Sequence, residues 1–177
     1  MGGAGFERLQ KELGELQKWA VSMSAESLAQ VAESIGREFA VQTDEVAILE
    51  LTPDRKFLQF LIPEKLRAIG QIPLTSATSL ASRTARERKA ELINHFNTVP
   101  HASVFEGVPL RSENNQPIQK IMSAPLLLDG KAVGVIQISR KGKTGAAAGP
   151  DFTPLELREL VAVAEMTAPL IVMPKEQ

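Results

Sequence analysis

The chain has 177 residues, of which 44% are hydrophobic and 23% are charged, enough for one globular domain with a buried core. Its 20 basic and 21 acidic residues nearly cancel, which argues against nucleic acid or an anionic membrane as a partner. Cysteine is absent, which excludes disulfides, thiolate metal ligands and cysteine nucleophiles. No apolar run approaches the roughly 20 residues of a membrane span, and residues 1–10 lack the pattern of an export signal. We therefore expect a cytoplasmic protein.

Residues 1–23 predict an amphipathic helix ahead of a main domain at 24–173 and a short tail at 174–177. Apolar residues recur at spacings of four and three among Glu, Lys and Gln, which gives a narrow apolar seam: Phe6, Leu9, Leu13, Leu16 and Ala20. Such a seam fits two arrangements equally well. The helix either packs on its own domain or associates with a second copy.

A second helix and a hairpin are predicted next. Ser24 is a candidate N-cap, and a wider apolar stripe follows until the chain turns before Thr43: Leu28, Val31, Ala32, Ile35 and Phe39. Two strands, Val46 to Leu51 and Phe57 to Ile62, flank a turn at Pro53-Asp54.

The segment from Ile72 to Ile93 predicts a strand, a helix and a strand. Ile72 to Leu74 is a brief apolar strand, Ser76 or Thr78 caps a helix that runs through Arg88, and Ala90 to Ile93 forms the second strand. Basic residues gather at the end of this helix, where the helix dipole favours cations and no ligand is needed to explain them: Arg83, Arg86, Arg88 and Lys89.

Residues 94–116 have no clear periodicity and contain both histidines, His95 and His101. A loop of this length in a compact domain is usually functional or disordered. A haem or metal site at the histidines is disfavoured because the chain has no cysteine and few acids lie beside them.

The C-terminal third carries the strongest local signals. Two apolar strands flank Asp129-Gly130, which favours a type I′ turn. Thr153 as N-cap, Pro154 at N1 and Glu156 at N3 predict the start of a last helix, with Phe152 stapled to Leu157. Its buried stripe is predicted to be Leu157, Val161, Ala164 and Ala168. The whole order predicts an α+β domain with a mostly antiparallel sheet between helices.

Gly142-Lys143-Thr144 looks like the end of a P-loop, but the required earlier glycine position holds Gln137 and the helix begins only at Thr153. We therefore expect a mobile surface loop here. There is no nucleophile-elbow pattern either.

Three stretches in this order resemble the GAF domain, a small-molecule-sensing relative of the PAS fold: "IPLTSATSLASRTARERKAELIN", "SAPLLLDGKAVGVIQISRKG" and "DFTPLELRELVAVAEMTAPLI". The resemblance implies a central antiparallel sheet of five or six strands. It places the N- and C-terminal helices on one face, often paired with a second subunit as a parallel bundle. A helix and the long loop would cover a ligand pocket on the other face.

The resemblance implies that residues 94–116 contribute to a ligand site. The candidate polar recognition groups and apolar walls are Asn94, His95, Phe96, His101, Phe105, Arg111, Asn114 and Asn115. A solvated loop with two phenylalanine anchors is the alternative. The first-helix seam, Leu9, Leu13, Leu16 and Ala20, becomes the expected homodimer surface. No catalytic residue, metal or cofactor is expected.

Family members that bind cyclic nucleotides carry an Asn-Lys pair, a Phe and an Asp-Glu pair, of which only Phe152 and the acid Glu156 remain here. The methionine sulfoxide reductase and bilin-binding branches depend on cysteine. The resemblance therefore implies a non-catalytic regulatory sensor that acts through a dimer or a separate signalling protein. The alternative is a dimerisation or interaction module without a ligand.

Overall fold

The computed structural model describes residues 4–19, 25–96 and 116–172, with the backbone alone at 17–19, 25–26 and 69. The helices of this part are α1 (Ala4–Trp19), α2 (Ala25–Glu38), α3 (Leu80–Glu87) and α4 (Pro154–Ile171). The strands are β1 (Val46–Leu51), β2 (Phe57–Ile62), β3 (Gln71–Pro73), β4 (Glu91–Ile93), β5 (Ile118–Leu128) and β6 (Lys131–Lys141). Short 3₁₀ turns, Thr43–Glu45 and Glu64–Ile69, precede β1 and follow β2.

The six strands form one antiparallel sheet in the order β3-β2-β1-β6-β5-β4. Helices α1, α2 and α4 cover one side, which we call the helical face, and α3 covers the other, the α3 face. The α+β architecture predicted from the sequence, with the terminal helices on one face, is confirmed.

The helical face is a continuous apolar core. Because side chains alternate along a strand, every second residue of the central strands points to the helices. Seven of these strand residues are apolar and buried: Val46, Ile48, Met122, Ala124, Leu126, Ile136 and Ile138. They meet apolar residues of the three helices, including Leu9, Leu13, Ile35, Phe39, Leu160 and Val163. The helical face therefore supplies most of the hydrophobic stabilisation.

The local signals of the C-terminal third are realised in the structure. Asp129 and Gly130 both have positive φ, 51° and 77°, as a type I′ turn requires. Thr153 accepts a hydrogen bond from the Glu156 amide at 3.2 Å, and the Glu156 carboxylate accepts one from the Thr153 amide at 3.0 Å. The predicted capping box is thus present.

Two local predictions are wrong in detail. The N-cap of α3 is Ser79, which accepts from the Ser82 amide, and Ser76 instead accepts from the Ser79 amide. Val161 of α4 is exposed, because the buried side of the helix is turned toward Leu160, Val163 and Ala164.

The segment after β6 lies at the surface around Gly142-Lys143-Thr144, as predicted, with Lys143 and Thr144 exposed. Side chains of three strand residues donate to its carbonyl groups: Gln119 to Gly142, Lys120 to Gly149 and Arg140 to Pro150.

Candidate functional site

The α3 face of the sheet carries polar side chains at its centre. The strand register aligns Ala47, Gln137, Ser123 and Glu91 across β1, β6, β5 and β4. In the next row on the same face, Ser139 lies opposite Ile121. We call four residues the polar strip: Ser123, Gln137 and Ser139 of the sheet, and Thr84 of α3. All four side chains are buried.

Hydrogen bonds join three members of the polar strip into a chain with a defined direction. Thr84 donates its hydroxyl hydrogen to the Leu80 carbonyl at 2.8 Å, so in the 2.7 Å contact with Ser123 it acts as the acceptor. The Ser123 hydroxyl therefore donates to Thr84, and it accepts from Gln137 Nε2 at 3.2 Å. The chain anchors the Gln137 carboxamide to α3.

The hydrogen-bond chain uses the Nε2 of Gln137 but not its side-chain carbonyl. Its Oε1 atom accepts no hydrogen bond from the residues that the structure describes. Gln137 as a whole is 3% exposed, but Oε1 is not among the fully buried side-chain atoms that lack a partner. Ser139 donates to the Glu45 carbonyl at 3.4 Å, longer than an ordinary O–H···O bond. The strip therefore offers hydrogen-bonding capacity that the described part of the protein leaves unused.

Apolar groups lie on both sides of the polar strip. Leu80, Phe96 and Ile121 form one small buried cluster. A larger cluster beneath α3 and the far strands contains Leu49, Phe60, Ala81, Ala85 and Val135. A few polar groups between apolar walls are typical of small-molecule sites.

The predicted site residues at the start of the irregular segment have different environments. Asn94 clamps the entry to α4, because its Nδ2 donates to the Phe152 carbonyl at 3.0 Å and its Oδ1 accepts from the Phe152 amide at 2.8 Å. His95 is exposed. Phe96 is buried beside the polar strip. A structural role thus accounts for Asn94, and only Phe96 lies at the described site.

The remaining predicted ligand contacts lie outside the described residues: His101, Phe105, Arg111, Asn114 and Asn115. Within the described ranges, no group of three or more histidine and carboxylate side chains is arranged to hold a metal ion.

The predicted dimer seam belongs largely to the protomer's own core. Leu9 and Leu13 are buried in the helical-face cluster, where α1 packs on α2 and α4, and Leu16 is half-buried against it. Ala20 lies outside the described residues. We correct the expectation for Leu9 and Leu13, because a second subunit could reach them only if α1 left the domain.

The positions that correspond to the cyclic-nucleotide pattern form a buried structural network on the helical face. The Arg140 guanidinium lies 4.2 Å from the centre of the Phe152 ring and donates to the carbonyls of Phe39 and Pro150. Glu156 lies 3.8 Å from the same guanidinium. Arg140 thus ties the end of α2, β6 and the start of α4 together, and its side chain is buried.

The sequence analysis did not predict the burial of Glu159, because it assigned only apolar residues to the buried side of α4. It is 7% exposed, and its Oε1 has no partner within the described ranges. Burial, with the nearby Glu38 and Glu156 carboxylates, raises the pKa of Glu159. Burial also raises the pKa of Glu38, which Arg8 opposes.

A polar groove of about 430 Å³ opens at the end of the sheet where β6 finishes, and Gln116 forms part of its wall. The Glu45 carboxylate accepts from the Gln42 and Lys141 amides at 2.8 and 2.7 Å. Burial raises the pKa of Glu45 and lowers that of Lys141, whose ammonium donates to the Asp44 carbonyl. Glu45 thereby ties the start of β1 to the end of β6.

None of the helices in the described ranges combines the length and the apolar character needed to cross a membrane. The fold is shared with several solved structures at low sequence identity. The GAF domain of an Acinetobacter phosphoenolpyruvate-protein phosphotransferase superposes with a TM-score of 0.69 at 12% identity, covering 97% of this chain and 94% of that one.

A methyl-accepting chemotaxis protein fragment gives a TM-score of 0.62 at 18% identity over 95% of this chain and 94% of its own. Free methionine-R-sulfoxide reductase from Neisseria meningitidis, solved with its substrate, gives 0.64 at 12% identity over 95% and 90%. The fold thus serves signalling proteins and an enzyme.

A comparison with curated proteins found none that matches this sequence. The sequence model of the GAF domain matches residues 24–171, which include every strand, α3 and α4. The chain therefore belongs to the GAF domain family.

Proposed function

We propose that this protein is a regulatory, non-catalytic sensor that binds a small molecule on the α3 face of its sheet. The observation that carries the proposal is the unpartnered carbonyl of Gln137, held in place by Ser123 and Thr84 at the centre of a buried sheet face.

The chemistry of the polar strip indicates the class of ligand. Its sheet residues Ser123, Gln137 and Ser139 carry no formal charge, and the groups beside them are apolar. The ligand would donate a hydrogen bond to Gln137 Oε1 and place an apolar portion against Phe96 and Ile121. His101, Phe105, Arg111 and Asn115 stay predicted ligand contacts, and no cofactor or metal is part of the proposal.

Output would follow from differential binding. A ligand shifts a conformational equilibrium only if it binds one arrangement better than the other. Asn94 links the end of β4 to Phe152, two residues before α4, so a change on the α3 face has a direct path to the terminal helices. We propose that these helices signal through a homodimer or through a separate signalling protein.

A thermal-shift screen of small polar metabolites tests the proposal, with Gln137→Met as the site variant. The matched control is Gln59→Met, a half-buried glutamine of β2 whose amide donates to Glu50 outside the polar strip. We expect a compound that raises the Tm of the wild type and of Gln59→Met but not that of Gln137→Met.

The second candidate is a GAF-fold interaction module without a ligand. It is favoured by the fact that Ser123 and Thr84 already satisfy each other. If no compound shifts the wild type, or if Gln137→Met responds as fully as the wild type, the proposed site is wrong.

A further inference from the structure

Exposed basic residues from three parts of the chain surround the C-terminal end of α3. They come from the turn between β1 and β2, from the end of α3 and from the start of β6. The helix dipole favours cations at the end of α3, but it does not explain the basic residues that the two strand turns bring to the same place. We call the set the basic ring: Arg55, Lys56, Arg86, Arg88, Lys89 and Lys131.

Hydrogen bonds to the turn between β5 and β6 join the first part of the basic ring. Arg55 Nη2 donates to the Ala132 carbonyl at 3.0 Å, and Arg88 Nη1 donates to the Gly130 carbonyl at 3.1 Å. These two carbonyls belong to the residues on either side of Lys131, which lie about 7 Å apart along a strand. Both guanidinium groups therefore lie beside the same turn.

A second set of contacts joins the end of α3 to the turn between β1 and β2. Arg86 Nη1 donates to the carbonyls of Leu74 and Ser76 at 2.6 and 2.8 Å. The Leu74 amide in turn donates to the Lys56 carbonyl at 2.8 Å. Because Lys56 follows Arg55 in the chain, the basic residues form a closed set around the end of α3.

The backbone at two members of the basic ring does not favour arginine. Arg55 and Arg88 both have positive φ, 62° and 54°. Arg88 is the left-handed C-cap of α3, and Arg55 lies in a hairpin turn. Glycine or asparagine is usual at such positions, because a larger side chain makes the left-handed conformation unfavourable. The arginines therefore contribute through their side chains and not through their backbone preference.

The charge of the basic ring is not neutralised by salt bridges. None of its six side chains forms one with an acidic residue in the part of the chain that the structure describes. Each of the three guanidinium groups uses only one nitrogen for the hydrogen bonds above. Three acidic residues, Asp54, Glu87 and Asp129, lie among them, so the region has a net charge of +3 in a chain whose net charge is -1.

The chemistry of the basic ring indicates which anion it fits. Among the described residues, the exposed large hydrophobic side chains all lie on α4 or at its C-cap, away from the ring. The ring therefore offers no aromatic surface for stacking of nucleic-acid bases and no apolar group for insertion into a membrane. The three interspersed carboxylates would also repel a continuous row of phosphates. Guanidinium groups match the geometry of separate carboxylates, as in an acidic peptide.

We propose that the basic ring binds an acidic segment of a partner protein, with Arg55 and Arg88 pairing with its carboxylates. The surface gives a chemical character to the separate signalling protein of the proposed function and in that respect rests on it, but it requires no ligand at the polar strip. Because the ring is exposed, the contact is expected to be weak and to weaken further as the salt concentration rises.

Fluorescence anisotropy with a labelled peptide of alternating aspartate and glutamate tests the proposal at low ionic strength. The site variant combines Arg55→Gly and Arg88→Gly, which removes two charges and supplies the residue that a positive φ favours, so the protein should stay folded. We expect its Kd for the peptide to rise about tenfold. Arg67→Gln with Arg158→Gln, two exposed arginines outside the ring, is the charge-matched control and should bind like the wild type.

A second site variant separates loss of binding from loss of structure. Asparagine also tolerates a positive φ, so Arg55→Asn with Arg88→Asn should show the same loss of affinity, and circular dichroism should show both site variants folded. A single-stranded oligonucleotide and vesicles that contain phosphatidylserine are the competing probes. Tighter binding of either probe than of the peptide overturns the proposal. No binding of the peptide, or an equal Kd for the folded site variants and the control, also overturns it.

The two proposals fail separately. Gln137→Met should leave the peptide Kd unchanged, and the arginine variants should leave the ligand-induced Tm shift unchanged. Loss of one readout without the other therefore identifies which proposal is wrong.

Discussion

The two faces of the sheet use alternate residues of the same strands, and they differ in what those residues do. On β6, Ile136 and Ile138 fill the helical face, while Gln137 between them points to the α3 face. The centre of the helical face is apolar, and three helices close it. The α3 face interrupts its apolar surface with the polar strip. The contrast is the basis of our proposal that the helical face maintains the fold and that the α3 face binds a ligand.

Replacement on the helical face is expected to have the largest effect on stability. Leu13→Ala removes a fully buried side chain of α1 and should lower the free energy of unfolding by about 2–5 kcal/mol. Urea denaturation of the dilute, monomeric protein measures this loss, and Leu16→Ala at the half-buried position should cost less. An undiminished stability with only a weaker dimer would place Leu13 at a subunit interface after all.

The Asn94 clamp is expected to have the next largest effect. Asn94→Ala leaves the Phe152 amide and carbonyl without their partners, which should cost about 1–3 kcal/mol. Asn94→Asp keeps an acceptor for the Phe152 amide, but it places a carboxylate oxygen against the Phe152 carbonyl oxygen, which is repulsive. We therefore expect it not to restore full stability. Chemical denaturation of both variants decides, and a neutral Asn94→Ala would show that the clamp contributes nothing.

Glu159→Gln is expected to act in the opposite direction. The raised pKa means that the folded state binds a proton more readily than the unfolded state, so wild-type stability increases as pH falls through the folded pKa toward the unfolded value. At neutral pH, removal of the buried charge should stabilise the protein by on the order of 1 kcal/mol.

Denaturation midpoints between pH 4 and pH 8 measure this effect. The Glu159→Gln variant should lose part of the pH dependence, whereas Glu15→Gln at an exposed position of α1 should retain it. Glu38 would keep a residual dependence, because burial raises its pKa as well. Parallel profiles for the wild type and Glu159→Gln would show that Glu159 does not titrate in this range.

The smallest expected effect on stability comes from the centre of the α3 face. Gln137→Met keeps the side-chain length and loses one hydrogen bond to Ser123, so we expect a loss of stability of no more than about 1 kcal/mol. Thermal denaturation without ligand checks this result. A loss as large as that of Leu13→Ala would mean that the polar strip is part of the structural core.

Local sequence signals predicted most of the fold because their causes are local. The Asp129-Gly130 turn and the Thr153 capping box each depend on residues within four positions of one another. The exposure of Val161 could not be predicted in this way, because its helix is apolar on several sides and only the packed neighbours decide which side is buried. The same reason made the seam of α1 ambiguous.

The site was harder to predict because its interactions are distant in sequence. Asn94 bonds to Phe152, 58 residues away, and Thr84 bonds to Ser123, 39 residues away. The local sequence around Asn94 and Thr84 therefore predicted only a loop residue and a helix residue. One signal was available. Gln137 is a polar residue in the middle of the apolar run "GVIQIS", which a structural strand with both faces covered does not need.

Native mass spectrometry of the freshly purified protein tests the central claim most directly, in the wild type, Gln137→Met and Gln59→Met. We predict a retained small molecule as a discrete added mass on the wild type and on Gln59→Met. That mass should be absent from Gln137→Met, which remains folded. Equal occupancy in all three proteins would contradict a ligand site at the polar strip.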